Sequence, residues 1–400
     1  MKEFIKSYLP FIARNLRKLI NYMQWIKNKK NYKIKINHKY NLIELDEYKN
    51  TFFGYYDKTP FNSKNSNIII FHANNYSSTK LPNPNIATDI CMYNLKTKEL
   101  KIIDTTYTWN WQQGARLHWL NEDEFIYNNI NQNNELISKK FNIKALKYTE
   151  YKLPVQDSYD NYFISIDYSI LNKIRPDYGY RNKTITKKNL YYYDIKKNTY
   201  KELVIITELI KKYIGDFTQE EIKGKINHVL ISPDGKSFIF LFRYFLKKKR
   251  YHKLFKFNLE TKKLTLLLDK SIISHYCWTD SKNIFFWGRI EDKSDYFILN
   301  TVTLDLVSKN TKLFDGHPNK INNNLILTDT YPDLSRIRKL MILDADNNKV
   351  DTIGEFFEPV SYVGETRCDL HPNISSDHKF IHCDTVFKNK RILCILEYKK

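Results

Sequence analysis

The sequence predicts an all-β fold, a seven-bladed β-propeller of four-stranded blades preceded by an N-terminal amphipathic helix. Three observations carry this expectation: a strong hairpin at 226–245, its recurrence along the C-terminal half, and a composition rich in strand formers. Within the hairpin, Ser232-Pro233-Asp234-Gly235 supplies the turn, with Pro fixing φ at about −65° and Gly accepting positive φ. Apolar, β-rich residues flank the turn on both sides. Variants of the unit follow, each with a His at the entry to its first strand: His228, His275, His317 and His371, spaced 47, 42 and 54 residues apart. A period in the forties is that of propeller blades. Each entry is matched 12 to 15 residues later by an exit residue, Arg243, Arg289, Asp329 or Asp384.

The 400 residues are 42% hydrophobic and 15% aromatic, enough to bury a large core and too apolar for disorder. With 30 Tyr and 24 Phe against 10 Gly and 11 Pro, strands are favoured over helices. A net charge of +21 attracts anionic partners through its long-range field. Nucleic acid ranks low among them, because the charge is scattered and no nucleic-acid motif is present. The five cysteines lack metal-type pair spacing and read as reduced thiols of a cytoplasmic protein. No run approaches the ~18 apolar residues of a spanning helix, and no signal-type segment opens the chain.

In chain order, residues 3–28 carry Ile5, Leu9, Ile12, Leu16, Leu19, Ile20, Met23 and Ile26 on one helical stripe, with basic residues elsewhere. Residues 1–30 therefore read either as an anchor on an anionic membrane surface, at the inner membrane face, or as a helix packed across the domain. Residues 1–32 form this helix and tail, and 33–400 a single propeller domain. Segment 33–45 alternates and is expected to pair with the C-terminal strand 391–398 and close the ring. Blade one is assigned to 52–60, 67–73, 89–95 and 100–104. Blade two takes 114–119, 124–130, 136–142 and 148–153. Blade three begins at 162–167 with an outer strand at 190–194, and a helical insertion occupies 204–223. Blades four to seven start from the four entry histidines.

In a propeller the entry to a first strand and the exit from the second share one face of the disc. The four histidines should then meet at one mouth of the channel, as a structural set or as a site. Neutral imidazole is a common ligand for Mn, Zn or Fe, and carboxylates complete such sets. Arg243 and Arg289 suit an anionic group held through parallel hydrogen bonds. Blade two contributes Arg116 and His118 to the same mouth, blade one Tyr56 and Asp57, and Gln113 leads into it. Trp109 and Trp111 offer a stacking face for a sugar or pack between blades. Asp329 and Asp333, in Asp329-Thr330-Tyr331-Pro332-Asp333, are candidates for acid–base work, metal ligation or substrate contact.

The stretches Ile226-Asn227-His228, Ser274-His275, Gly316-His317, 327–333 and Arg367-Cys368-Asp369-Leu370-His371-Pro372 resemble the blade motifs of oligogalacturonate lyase and its TolB-like propeller relatives. The resemblance spans roughly 50–398. It implies a cytoplasmic seven-bladed propeller that binds a divalent metal, typically manganese, and cleaves acidic saccharide chains by β-elimination. By position it implies His275 or His317, with His371, as metal ligands. The family pattern Gln-x-x-His-x-His-Pro is altered here, with Thr366 at the Gln position and Asp369 at the first His, so the implied metal set includes Asp369. His228 or His275 is then the base, Arg243 or Arg289 the carboxylate clamp, and Arg367 a substrate contact. Alternatives are an enzyme or accessory of surface-polysaccharide synthesis, such as a glycosyltransferase, and a non-enzymatic scaffold.

Overall fold

The computed structural model describes residues 10–182, 187–270, 272–322 and 324–399. Seven antiparallel sheets follow one another around a ring, giving the seven-bladed propeller. The reference hairpin forms at the head of blade four, from strands Lys225–Ile231 and Ser237–Leu246. Gly235 takes φ 68° in its turn, and the Ser237 carbonyl accepts from the Ser232 N–H at 2.8 Å. Register stacks its aromatics in cross-strand pairs: Phe238 on Phe257 at 5.4 Å, Phe240 on Phe255 at 5.3 Å and Tyr244 on Tyr251 at 5.3 Å between ring centroids.

Apolar clusters fill the wedges between neighbouring blades. Phe238, Phe240 and Phe242 of blade four meet Tyr162 and Ile164 of blade three in one cluster. Ile239 and Leu241 point the opposite way, toward Tyr276 and Phe286 of blade five. The two faces of one strand thus serve two interfaces, as the two-residue repeat of a strand requires.

The ring closes through the N-terminal segment, which does so in two pieces. Tyr40–Leu45 pairs with Ile392–Tyr398 and completes blade seven, as expected. Ile34–Ile36 instead adds a fifth strand to blade six, beside Lys349–Phe357. The expectation that 33–45 pairs as one strand is corrected: the turn at Asn37 to Tyr40, whose N–H bonds the Asn37 carbonyl at 3.0 Å, hands the chain to the next blade. Blade three also starts earlier than expected. Its inner strand is Asp157–Tyr159, and Tyr162–Ser165 is the second.

Two short helices interrupt blade three and its exit, Tyr168–Ile174 and Ile206–Tyr213. The second falls in the expected insertion. The first is capped by Asp167, whose carboxylate accepts from the N–H groups of Ser169 and Ile170 at 2.9 Å and 3.1 Å. The N-terminal helix runs Pro10–Asn28; positions 3–9 of the expected helix lie outside the described residues. Its Trp25 packs on Phe357 of blade six at 5.7 Å, while Leu19, Met23 and Ile26 are 53%, 48% and 52% exposed. No helix among the described residues is long and apolar enough to cross a membrane. All five cysteines are buried free thiols.

Candidate functional site

The four entry histidines converge. Ring centroids of His228 and His275 lie 5.3 Å apart, His275 and His317 4.1 Å, and His317 and His371 4.4 Å. All four are buried. Local backbone geometry turns them inward. His228 and His371 sit at φ 53° and 45°, a left-handed conformation uncommon outside glycine. The blade-four ladder shifts register between Asn227 and Leu230, and blade five does so between Ile273 and Tyr276, so His228 and His275 both lie on bulges. A bulge re-aims a side chain that regular pleating would leave between blades.

Tyr55 and Tyr56 of blade one fill the centre. Tyr55 is 4.9 Å from His371 and shares a 2.7 Å hydrogen bond with His228 Nδ1. Tyr56 lies 5.6 Å from His275 and 5.3 Å from His317. Its hydroxyl donates to the Tyr276 carbonyl at 3.1 Å and accepts from the Tyr276 N–H at 3.0 Å. Burial, then the neighbouring acidic hydroxyls and carboxylates, hold both phenols well above their usual range, so both stay neutral. Gly54 sets this loop. A side chain there would strike the Gln113 backbone at 2.7 Å, and φ is +127°. Its N–H donates to Asp384 at 3.0 Å and its carbonyl accepts from His371 Nδ1 at 2.6 Å.

His317, Asp369 and His371 place ligand atoms within 4.8 Å of one another. Each histidine spends Nδ1 on an acceptor: His317 on Asp329 at 2.8 Å and His371 on the Gly54 carbonyl. That fixes the tautomer and leaves Nε2 as the donor atom, the second-shell pattern of metal-bound imidazole. His371 Nε2 has no hydrogen-bond partner, although it is buried. On these observations the set fits a divalent cation. Burial, then the neighbouring histidines, lower His317 and His371 well below the usual range, and neutral imidazole is the ligating form. Burial pushes the Asp369 carboxyl up, but Arg367 and Arg338 outweigh it and hold it well below the usual range. Arg367 Nε donates to one Asp369 oxygen at 2.8 Å, and Arg338 Nη2 lies 3.0 Å from the other. His275 is outside this set; its Nδ1 faces Asp315 at 3.2 Å.

The remaining expected residues separate into those at the mouth and those spent on structure. Arg243 is at the mouth, with Nη1 3.4 Å from His228 Nε2. Arg367 joins it, and its Nη1 reaches Asp177 at 2.9 Å. Arg289 does not: it is exposed and donates from Nε to its cross-strand partner Ser294 at 3.1 Å. Arg116 and Asp57 form a buried bidentate pair at 3.0 Å and 2.8 Å, and Arg116 Nε also donates to the Gln156 carbonyl at 3.0 Å. His118 has both ring nitrogens engaged, with the Arg116 carbonyl and Ser158, each at 2.6 Å. Gln113 is buried with its Oε1 unpartnered. Asp329 is buried beneath His317 and His371, whereas Asp333 is exposed and caps its own turn through Ser335 and Ile337. Trp109 and Trp111 are buried edge to face at 4.8 Å, with indole N–H groups on the Ile86 and Lys80 carbonyls, so neither presents a stacking face.

Sequence reading missed one wall of the mouth. The turn after helix Tyr168–Ile174 delivers Arg175, Asp177 and Tyr178, with Tyr178 5.8 Å from His228 and 5.7 Å from Tyr55. Beside the opposite edge lies a cavity of about 700 Å³, lined by Asp315 and Tyr331 next to the histidines and by Asn21 and Gln24 of the N-terminal helix. Tyr331 is 5.9 Å from His317.

No protein-family model matches the sequence, and no curated protein matches it. Solved structures do match the fold. An oligogalacturonate lyase in complex with manganese superposes with a TM-score of 0.61 at 12% identity, covering 93% of this chain and 99% of that one. The oligogalacturonate lyase of Vibrio parahaemolyticus gives 0.60 at 13% identity, covering 92% and 100%. The propeller domain of the trilobed protease from Pyrococcus furiosus gives 0.50 at 9%, covering 83% and 90%. The chain therefore shares the seven-bladed propeller fold of the oligogalacturonate lyases over nearly its whole length, at a sequence distance where the likeness is one of fold.

Proposed function

We propose that the protein binds or cleaves an acidic saccharide at its histidine-lined mouth. The observation that carries this reading is the buried, unpartnered Nε2 of His371 beside His317 and Asp369. A buried acceptor without a partner is costly, and a bound ion, ligand or ordered water is the usual reason one persists; beside His317 and Asp369 the ion is the fitting choice. The likeness in fold to a manganese-containing lyase supports the same reading.

The chemistry is β-elimination. A base removes the proton α to the uronate carboxylate, the electron pair forms the new C=C bond, the β C–O bond breaks, and the departing oxygen is protonated. His275 is the better base of the two expected: Nδ1 on Asp315 leaves Nε2 as acceptor, whereas His228 has both nitrogens near partners, Tyr55 and Arg243. Arg243 or Arg367 orients the carboxylate. A divalent cation held by His317, Asp369 and His371 would stabilise the enolate charge.

The test is metal content by mass spectrometry on wild type and a His317→Ala/His371→Ala variant, followed by uronate oligosaccharides scored for unsaturated products. Stoichiometric manganese lost in the variant, with product formed by wild type alone, supports the reading. A protein that takes up no metal and makes no product from any uronate oligomer rejects it.

The exposed apolar face of the N-terminal helix favours a second reading, in which the same pocket serves surface-polysaccharide synthesis at an anionic membrane. Flotation with anionic vesicles, with and without residues 1–30, decides it; full-length protein that stays out of the vesicles removes the membrane from the account.

A further inference from the structure

Blade four carries a group of cations that the elimination chemistry leaves largely unused. Lys225 and Arg243 are Cα partners across the first strand pair, Arg243 and His252 across the next, and Phe245 opposes Arg250. Residues two apart on a strand share a face, so Lys225, Arg243, Arg250 and His252 stand on one face at the mouth end of the blade. Arg175 approaches from blade three and acts on both Lys225 and Arg243.

Burial without compensation marks this group. Lys225 is 3% exposed and Arg243 6%, yet neither makes an ion pair among the described residues. Lys225 has the Phe245 ring, 5.6 Å from Nζ. Arg243 has the Ile273 carbonyl at 3.0 Å and His228, and its Nε has no partner. His252 Nε2 is likewise buried and unpartnered. The acid in the field of Lys225 is Asp177, already clasped by Arg175 at 2.7 Å and Arg367 at 2.9 Å. Several other buried arginines of this protein are matched: Arg116 by Asp57, and Arg336 and Arg338 by Glu358. Buried Arg391 also lacks an ion pair among the described residues, but the carbonyls of Trp111, Thr366 and Arg367 take up its two Nη groups, whereas Arg243 has a single carbonyl and Lys225 an aromatic ring.

We propose that Lys225, Arg243 and the rim residue Arg250 bind the phosphate monoester group of a small ligand such as a sugar phosphate. A lone carboxylate offers one charge and two oxygens to three unmatched cations. A phosphate monoester offers up to two charges and three terminal oxygens, and guanidinium groups bind it through paired hydrogen bonds. Burial, then Arg175, Arg243 and Arg250, lower the Lys225 ammonium to about 7, the strain that an incoming dianion relieves. The site shares the mouth with the histidine cluster and rests on the acidic-saccharide reading, to which it adds a phosphate monoester as an anionic group of the ligand, while its measurement needs neither metal nor turnover.

The experiment is calorimetric titration of the full chain with inorganic phosphate, glucose 1-phosphate and glucuronate, on wild type, Lys225→Met, Arg243→Gln and Arg250→Gln. Expected are glucose 1-phosphate binding tighter than glucuronate and a loss of roughly ten-fold or more in Lys225→Met and Arg243→Gln. Arg250→Gln, at an exposed position that leaves folding intact, should lose several-fold. Without ligand, Lys225→Met should melt at a higher temperature than wild type, because an unmatched buried cation is removed; a structural role requires the reverse. Glucuronate binding tighter than glucose 1-phosphate, or phosphate affinity unchanged in folded Arg250→Gln and Lys225→Met, overturns the proposal. Phosphate binding with no metal uptake and no uronate product would leave the site standing and remove the lyase chemistry.

Discussion

His317 donates its Nδ1–H to both oxygens of Asp329, at 2.8 Å and 3.0 Å, and the same carboxylate accepts from the backbone N–H groups of His317 at 2.8 Å and His371 at 3.2 Å. One buried acid thus ties two blades together and orients the His317 imidazole. Gly316 makes the approach possible, since a Cβ there would collide with the Asp329 carbonyl. Burial raises Asp329 to about 6, so it is ionised near neutral pH and polarises His317.

Asp329→Asn keeps the shape but removes that charge and offers an N–H where His317 needs an acceptor. If the proposed cation site is real, manganese affinity should fall by about 10–100-fold, with the fold retained. Titration of the metal-free protein, with circular dichroism as the control, measures it; unchanged affinity would separate Asp329 from the metal set.

A second prediction concerns acid stability. Burial holds His72, His252 and His382 neutral down to about 4, about 2 and about 3. Unfolded, each takes a proton near 6.5, so the unfolded state binds more protons and stability falls as pH drops below that value. At about pH 5 each costs about 2 kcal/mol. Asp384 works the other way. Burial lifts it to about 7, so its folded form binds a proton the unfolded form lacks, and descent from about pH 8 to pH 5 returns about 3 kcal/mol. The three histidines win. Urea midpoints should be lower at pH 5 than at pH 8; equal midpoints would contradict the assignment of these rings as neutral.

The periodic part of this molecule was legible in the sequence, and the non-periodic part was not. His228, His275, His317 and His371 recur in phase with the strands, and the structure brings them to one place. Arg289 held the same phase and still missed the mouth: its side chain turns onto Ser294, its cross-strand partner, because repeat position fixes where a Cα lies and not the conformer of a long side chain. Asp177 is 190 residues from its partner Arg367, on a turn after a helix with no counterpart in other blades among the described residues. No local pattern signals such a pairing. The same applies to Glu358, which stands outside the hairpin repeat altogether.

Glu358 carries a third prediction. It is buried and takes Arg336 at 2.7 Å, Arg338 at 3.2 Å and the Cys368 N–H at 3.0 Å. Glu358→Ala leaves two guanidiniums and an amide without their acceptor. A loss of about 3–5 kcal/mol is expected. Arg338 is then free to neutralise Asp369 fully, so metal uptake at the proposed His317–Asp369–His371 site should weaken beyond what the stability loss explains; denaturation and metal titration on one preparation distinguish the two effects.

The closing strand separates the helix from the fold. Tyr40–Leu45 forms a full ladder with Ile392–Tyr398 and buries Leu45 against blades seven and one, whereas the helix touches the body through a few residues such as Trp25. Removing residues 1–30 takes away no blade strand, and the melting temperature should change by a few degrees at most. Removing residues 1–46 strips both Ile34–Ile36 and Tyr40–Leu45, leaving the outer edges of blades six and seven unpaired. Unpaired edges invite association with other chains, so the longer truncation should melt far lower and aggregate on expression. Light scattering and thermal unfolding of the two truncations check this. If both behave alike, ring closure does not depend on the N-terminal strand, and the seventh blade must hold on three strands alone.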